Sequence, residues 1–201
     1  MKVAALILAA GQASRFGAAK QLLTINGQNL VQRACQLAMK ANCEPIVVIS
    51  GAHQEAIKQC ELPPHVELLE NLDWSRGMGS SLALGVQTII PQQPDAVLIL
   101  LADQPAITLK TIEQLYAEMN QCEVSIVRCQ HAKVQSPPTL FSSQHFASLA
   151  QLHDDLGGKE IIQKNKDALA TISAPEAAWD IDTPESWAQY QEYLRRSDSA
   201  R

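Results

Sequence analysis

VAALILAAGQASRFGAAKQLL, residues 3–23, joins a short apolar run to a loop of small residues. The apolar run predicts a buried strand, and the Ala-Ala-Gly sequence after it predicts that the strand ends in a tight loop. The loop carries Arg15 and Lys20 but no acidic residue. Small residues let backbone N–H groups approach an anion, while a guanidinium and an ammonium neutralise its charge. This stretch therefore predicts a strand that leads into a loop for polyphosphate.

The positive charge of this region is local. The chain has a formal net charge of −5, yet all 21 of its acidic residues lie at or after Glu44. Five cations precede that residue: Lys2, Arg15, Lys20, Arg33 and Lys40. Because the rest of the chain is acidic and only 4% of the residues are aromatic, nucleic acid is excluded as the main partner.

Length and composition predict a single domain over residues 1–201, with a core of ordinary size. No apolar run reaches the roughly 18 residues that a membrane span needs, so no membrane partner is expected. Only Lys2 separates the initial methionine from the first apolar run, which lacks the layout of a signal peptide. The five cysteines form no C-x-x-C pair, and their odd number favours reduced thiols. A cytoplasmic location is expected.

Apolar runs alternate with amphipathic segments along most of the chain. Strands are predicted at residues 3–8, 45–50, 66–70, 96–101, 124–128 and 169–172, and helices at residues 30–41, 53–59, 80–90, 109–120 and 142–152. This alternation predicts an α/β fold, a mostly parallel twisted sheet with helices on both faces. Ligands bind such sheets beyond the carboxyl ends of the strands. The alternation weakens after about residue 135, so residues 1–135 are expected to bind a nucleotide and residues 136–201 to bind its acceptor.

Acidic residues stand at two places that favour a metal. Asp103 directly follows a predicted buried strand, where a carboxylate caps a turn or binds a hard cation. Asp180 and Asp182 point to the same side of an extended segment. Alternatively, Asp182 or Thr183 caps a helix that begins at Pro184. Together with the cationic loop, these carboxylates favour Mg²⁺, which accompanies nucleoside triphosphates and needs one or two carboxylates.

The segment GMGSSLALG, residues 77–85, is a third candidate element. Gly77 and Gly79 allow close approach of the backbone to a ligand. Ser80 and Ser81 stand in the first turn of a predicted helix, where their hydroxyls either contact a base or ribose or only cap the helix.

The loop departs from two standard phosphate motifs. Five residues separate Gly11 from Gly17, where a P-loop has four, and no Gly-Lys-Ser/Thr follows, so it is not a P-loop. Position 13 is alanine, so the dinucleotide fingerprint is absent as well. The pattern L-x-A-G-x-x-x-R-x-G-x-x-K does fit, and it resembles nucleotidyltransferases that activate sugar phosphates, isoprenoid precursors and molybdopterin. The residues that carry it are Leu8, Ala10, Gly11, Arg15, Gly17 and Lys20.

The order of GMGSSL, LADQP, SPPTLF and DIDTPE after this loop resembles the molybdopterin nucleotidyltransferase family, and within it the molybdenum cofactor cytidylyltransferases. The resemblance implies a Rossmann-like nucleotidyltransferase fold and transfer of CMP from CTP to molybdopterin, with release of pyrophosphate. It implies catalytic roles for Arg15, Lys20 and Asp103 and Mg²⁺ ligands at Asp103 and Asp182, with Asp180 as a further candidate from the pattern above. The implied nucleotide-binding residues are Leu8, Ala9, Ala10, Gly11, Arg15, Lys20, Gly77, Ser80 and Ser81.

The choice of CTP over GTP is implied by two differences from the guanylyltransferase branch. That branch usually has two glycines where this chain has Ala10-Gly11, and a Gly-Pro-Leu-type segment in place of GMGSSL. Gly79 stands where the family often has serine, Ala102 where it often has glycine, and DDLGGKEII matches the expected acceptor region only loosely. A surface position on a helix is expected for His145.

Three other functions remain open from the sequence. One is a nucleotidyltransferase that uses another nucleoside triphosphate, and a second is one with another phosphate acceptor, such as a sugar phosphate. The third is a molybdopterin carrier without catalytic activity. The expected partners are CTP and molybdopterin, with a molybdoenzyme or an insertion chaperone as a protein partner.

Overall fold

A computed structural model describes residues 1–154 and 157–199. Asp155 and Leu156, which belong to the DDLGGKEII segment, lie outside the described residues. The strands are β1 Val3–Leu8, β2 Thr24–Ile25, β3 Gln28–Asn29, β4 Ile46–Ser50, β5 Val66–Glu70, β6 Ala96–Leu101, β7 Ile126–His131, β8 Val134–Ser142 and β9 Leu169–Ser173. The helices are α1 Leu30–Lys40, α2 Gln54–Lys58, α3 Met78–Ile89, α4 Leu109–Gln121, α5 Phe146–Leu149, α6 Lys159–Lys164 and α7 Pro184–Ser199.

The main sheet has seven strands in the order β5-β4-β1-β6-β8-β7-β9. β1 lies between β4 and β6 and is parallel to both, so the carboxyl ends of these three strands meet at one edge. β8 alone runs antiparallel to its neighbours, β6 and β7. The prediction of a mostly parallel, Rossmann-like α/β sheet is confirmed.

β8 is the strand that the sequence pattern does not reveal, because it contains Pro137 and Pro138. Its pairing with β6 ends at Thr139, and its register with β7 shifts between Arg128 and Cys129. The two prolines therefore lie where the strand is irregular, which is where a sheet tolerates residues without an N–H donor. Thr139, Leu140 and Phe141 beyond them are buried.

Successive residues of β1 face opposite sides of the sheet and belong to two separate hydrophobic cores. Val3, Ala5 and Ile7 belong to the core that includes residues of α1 and α4. Ala4, Leu6 and Leu8 belong to the core that includes residues of α3, α5 and α6. The prediction of helices on both faces is therefore confirmed by packing. Within the described residues, no helix combines the length and apolarity that crossing a membrane requires.

A third core holds the carboxyl-terminal helix against the start of the chain. Tyr190 of α7 and Ile181 before it are buried with Ile25 and Leu30. The backbone N–H of Ile181 also donates a hydrogen bond to the carbonyl of Asp103, at 3.0 Å. The segment that precedes α7 is thereby attached to the loop after β6, although the two are far apart in sequence.

His145 is buried, so the prediction of a surface histidine is wrong. The side chain is only 5% exposed, and its Nε2 lies 2.8 Å from Ser125 Oγ. The predicted helix over residues 142–152 is also shorter than expected, because a 3-10 turn precedes α5 and only four residues form the helix. Phe146 and Leu149 of this short helix pack into the core, and they bring His145 with them.

We expect His145 to make folding stability depend on pH. Burial lowers the pKa of His145 below its usual value of about 6.5. The unfolded chain therefore takes up the proton first, and the free energy of unfolding falls as pH decreases through 6.5 toward the folded-state pKa. Chemical denaturation of the protein and of His145→Gln across this range checks the effect. A pH dependence that is identical in both proteins would contradict it.

Candidate functional site

A cleft of about 630 Å³ opens at the carboxyl ends of β1 and β6. Eight of the predicted nucleotide-binding residues line it: Leu8, Ala9, Ala10, Gly11, Arg15, Lys20, Gly77 and Ser81. Asp103 and Asp182 complete the wall. The loop, the glycine-serine segment and the two carboxylates therefore share one concave surface, at the edge where ligands bind parallel sheets.

The backbone of the cationic loop is held in place by Gln21. This side chain is 2% exposed, and its Nε2 donates hydrogen bonds to the carbonyls of Ala9 at 2.9 Å and Gly11 at 3.0 Å. A fixed loop presents its N–H groups without reorganisation, which strengthens anion binding. Sequence reasoning did not single out Gln21 for this role, because no local pattern distinguishes a lone glutamine that folds back onto its own loop.

Lys20 is the centre of the charged groups in the cleft. Its side chain is 9% exposed, and its Nζ lies 2.6 Å from Asp103 Oδ2 and 2.6 Å from Asp182 Oδ1. Arg15 Nη2 lies 2.9 Å from the other oxygen of Asp182, with 72% of the arginine side chain exposed. Lys20 is therefore a buried, doubly paired cation, whereas Arg15 extends toward solvent at the rim.

These contacts shift the ionisation of both partners. Burial alone would lower the pKa of Lys20, but the charges of Asp103 and Asp182 and the hydrogen bonds to them outweigh burial and raise it. Burial acts to raise the pKa of Asp182, but the hydrogen bond from Lys20 and the charges of Lys20 and Arg15 lower it. Lys20 and Asp182 are therefore both ionised at neutral pH.

Two carboxylates of the cleft, together with a third close to them, fit a divalent cation. Asp103, Asp180 and Asp182 each offer an oxygen, and these oxygens lie within 4.8 Å of one another. Asp103 Oδ1 is buried and has no hydrogen-bond partner among the described residues, as expected for an oxygen reserved for a cation. Reduced hydration and the charges of Asp103 and Asp182 raise the pKa of Asp180 to about 6. Carboxylate oxygens are the ligands that Mg²⁺ prefers.

Thr183, and not Asp182, caps α7. Its Oγ1 accepts a hydrogen bond from the backbone N–H of Ser186 at 3.2 Å. The Asp182 side chain is therefore left to pair with Lys20 and Arg15.

The opposite wall of the cleft is built around Asn71. Its Nδ2 donates hydrogen bonds of 2.9 Å to Ser80 Oγ and to Ser81 Oγ. Ser80 Oγ in turn donates to the carbonyl of Gly77 at 2.8 Å, and Ser80 is not among the residues that line the cleft. Of the two serines, Ser81 alone contributes to the cleft surface. Trp74 and Met78 also line this wall, and sequence reasoning did not identify them.

Gly79 lets residues 153 and 154 pack directly on the start of α3. A Cβ at this position would lie 2.7 Å from the carbonyl oxygens of both His153 and Asp154. We expect Gly79→Ala to lower the free energy of unfolding by about 1–3 kcal/mol, as overpacking against backbone does. Chemical denaturation measures this change. Gly11→Ala is the matched control, because a Cβ there meets nothing within 4 Å; equal losses in both variants would contradict the expectation.

Comparisons with known proteins place the chain among related sequences. A family model described as the MobA-like NTP transferase domain matches residues 5–169. The chain is 26% identical over 192 residues to the purine catabolism protein PucB of Bacillus subtilis, covering 90% of this chain and 92% of that protein. It is 26% identical over 194 residues to a probable molybdenum cofactor guanylyltransferase of Trichormus variabilis, covering 93% and 89%.

Solved structures share the fold. A Mycobacterium sp. strain JC1 homologue of the Mycobacterium tuberculosis protein Rv0371c matches with a TM-score of 0.80 and 24% identity, over 98% of this chain and 99% of that one. Rv0371c itself, in complex with manganese, matches with a TM-score of 0.77 and 20% identity, over 94% and 97%.

Proposed function

Because the chain belongs to the MobA-like NTP transferase domain family, and is thus a nucleotidyltransferase, we propose that it transfers CMP from CTP to molybdopterin. The observation that carries this proposal is one cleft that contains the cationic small-residue loop together with Asp103, Asp182 and Lys20. The products are molybdopterin cytosine dinucleotide and pyrophosphate.

In the proposed reaction, a phosphate oxygen of the acceptor attacks the α-phosphorus of CTP. A new P–O bond forms while the bond from the α-phosphorus to the bridging oxygen of the β-phosphate breaks, and pyrophosphate leaves with the bonding electrons. The second pKa of a phosphate monoester is about 6, so the acceptor is mostly dianionic at pH 7 and needs no general base. The protein has to position the two phosphates and neutralise their charge.

The loop and its two cations perform that task. Gly11 has open space around its α-carbon and lines the cleft, so the triphosphate can approach the backbone there. Arg15 is exposed and can turn to the departing pyrophosphate, while the ammonium of Lys20 lies deeper, beside the carboxylates. Both groups stabilise negative charge that grows on the leaving group.

The three carboxylates fit Mg²⁺, and Asp103, Asp180 and Asp182 would hold it. A bound Mg²⁺ would supply charge neutralisation to the reacting phosphates. The manganese complex of Rv0371c, a protein of the same fold, supports a divalent cation in this role.

The proposed preference for CTP over GTP rests on one residue of the cationic loop. Ala10 lines the cleft and adds a methyl group where the guanylyltransferase branch usually has a glycine. We infer that the base lies on the side of the loop where Ala10 stands, so that this methyl group leaves less space and favours the smaller pyrimidine. GTP is the second candidate, because a probable molybdenum cofactor guanylyltransferase is 26% identical to the chain over 93% of its length.

Pyrophosphate release tests the proposal. The purified protein is incubated with Mg²⁺, molybdopterin and each of the four nucleoside triphosphates in turn. We expect the rate with CTP to exceed the rate with GTP at least about tenfold, the range that one altered pocket contact gives. A sugar phosphate in place of molybdopterin is expected to give only background release.

Three outcomes would overturn this assignment. A faster rate with GTP would make the protein a guanylyltransferase. Comparable release with a sugar phosphate would move the acceptor to another class. Tight binding of molybdopterin without any pyrophosphate release would make the protein a carrier.

A further inference from the structure

A second cavity, of about 270 Å³, lies on the other side of the loop that carries Asp103. One side of it is a face of α1, which contributes Arg33, Leu37 and Lys40. The other side is the segment after β6, which contributes Gln104 and Pro105. This volume lies just below the usual range for drug-sized ligands, so the cavity fits a compact molecule.

Two residues that line this cavity each carry a buried polar atom that has no hydrogen-bond partner among the described residues. These atoms are Arg33 Nε, a donor, and Gln104 Oε1, an acceptor. Gln104 is only 6% exposed. Leaving such a group unpaired costs about 1–3 kcal/mol, so native proteins rarely do so unless a ligand or solvent completes the site.

The charge at the cavity is positive and unpaired. Arg33 and Lys40 form no ion pair within residues 1–154 and 157–199. No acidic side chain is found among the described residues that line the cavity. Burial raises the pKa of Tyr190, although the charge of Arg33 acts in the opposite direction. That phenol is therefore neutral at pH 7 and leaves the guanidinium without an anion.

We propose that this cavity binds a small phosphate-bearing molecule, at a site separate from the nucleotide cleft. A phosphate oxygen accepts a hydrogen bond from Arg33 Nε and is also attracted by Lys40. A hydroxyl of the ligand, or the P–OH of phosphate itself, donates to Gln104 Oε1. One compact ligand thus satisfies both buried atoms and the unpaired charge.

The location of the cavity gives such a ligand contact with the catalytic loop. Leu101 and Ala102 line both this cavity and the nucleotide cleft, and Gln104 directly follows Asp103. The two sites therefore share a wall but differ in every charged residue that lines them.

Amide chemical shifts of the full chain, recorded by NMR during titration with inorganic phosphate, test the proposal. The expected result is saturable shifts at residues 33–40 and 104–109, distinct from any shifts at residues 9–15 of the nucleotide loop. Ribose 5-phosphate forms a second arm, which shows whether the site prefers free phosphate or a phosphate ester. Sulfate, which lacks a proton to donate to Gln104, is expected to bind at least about threefold more weakly than phosphate.

Variants separate the two sites. Arg33→Gln is expected to weaken phosphate binding at residues 33–40 at least about tenfold, the effect of losing one charge-assisted hydrogen bond. Gln104→Met removes the buried acceptor and is expected to remove the advantage of phosphate over sulfate. Lys58→Gln, on the exposed surface of α2, is the matched control and is expected to change affinity less than twofold.

The proposal is overturned if the shifts are confined to the nucleotide loop, or if Arg33→Gln binds phosphate as the unchanged protein does. Should Gln104→Met fail to fold, Arg33→Gln alone decides, because Arg33 is only half-buried and its loss leaves no cavity in the core. Arg15→Gln is expected to abolish the loop shifts and leave those of α1 in place.

Discussion

Asp103→Asn is expected to reduce pyrophosphate release from CTP at least about a hundredfold. Asp103 contributes the buried oxygen Oδ1, which lacks any other partner, and its Oδ2 pairs with Lys20. The amide keeps the shape of the side chain but removes the charge that a divalent cation needs. Steady-state kinetics at saturating Mg²⁺ measure the change in rate.

A measurement of Mn²⁺ affinity distinguishes a role of Asp103 as a metal ligand from a structural role. Electron paramagnetic resonance of free Mn²⁺ is expected to show at least about a tenfold weaker affinity in Asp103→Asn. Glu113→Gln, an exposed carboxylate of α4, is the matched control and is expected to leave both rate and affinity unchanged. Unchanged Mn²⁺ affinity in Asp103→Asn would remove Asp103 from the metal site.

Lys20→Met is expected to slow the reaction about a hundredfold or more and to make stability depend on divalent cations. Lys20 is the buried cation between Asp103 and Asp182, and methionine retains its apolar stem without the charge. Without the ammonium, the carboxylates repel one another. Lys20 lowers the pKa of Asp182 in the folded protein, and this stabilises the folded state at neutral pH. The variant lacks that stabilisation, and the resulting difference in free energy of unfolding disappears as pH falls through the lowered pKa of Asp182.

Thermal unfolding measured with and without Mg²⁺ checks this reasoning. A ligand that binds only the folded state raises Tm, and the more negative site of Lys20→Met is expected to bind Mg²⁺ more tightly than the unchanged site. The gain in Tm on adding Mg²⁺ is therefore expected to be larger in the variant. Lys58→Met serves as the control for loss of a lysine. An equal gain in all three proteins would show that Lys20 does not share the site with the cation.

Local patterns were sufficient for most of the fold. The apolar run of β1 and the alternation of strands with amphipathic helices predicted the parallel sheet, because a side-chain period is encoded within a few residues. β8 was missed because Pro137 and Pro138 argue against a strand, and only its pairing with β6 and β7 shows where the prolines lie. His145 was misplaced for a similar reason, since its burial depends on the packing of Phe146 and Leu149.

The identities of the charged side chains in the cleft followed from the sequence, because Arg15, Lys20, Asp103 and the acidic pair near residue 181 each stand in a recognisable local setting. Their mutual arrangement did not follow from it. Lys20 reaches Asp182 across 162 residues, and that contact exists because Tyr190 and Ile181 are buried against Ile25 and Leu30.

The sequence by itself determined the strand-loop element, the positive charge of the loop and the residue types that we propose for phosphate and metal binding, since these depend on neighbours along the chain. Only the tertiary structure decided that Gln21 holds the loop and that the hydroxyl of Ser80 bonds to the carbonyl of Gly77. It also decided that the carboxylate of Asp180 lies close to those of Asp103 and Asp182. Contacts between distant segments depend on how the cores pack and which way the chain turns back, and no short window of residues encodes that geometry.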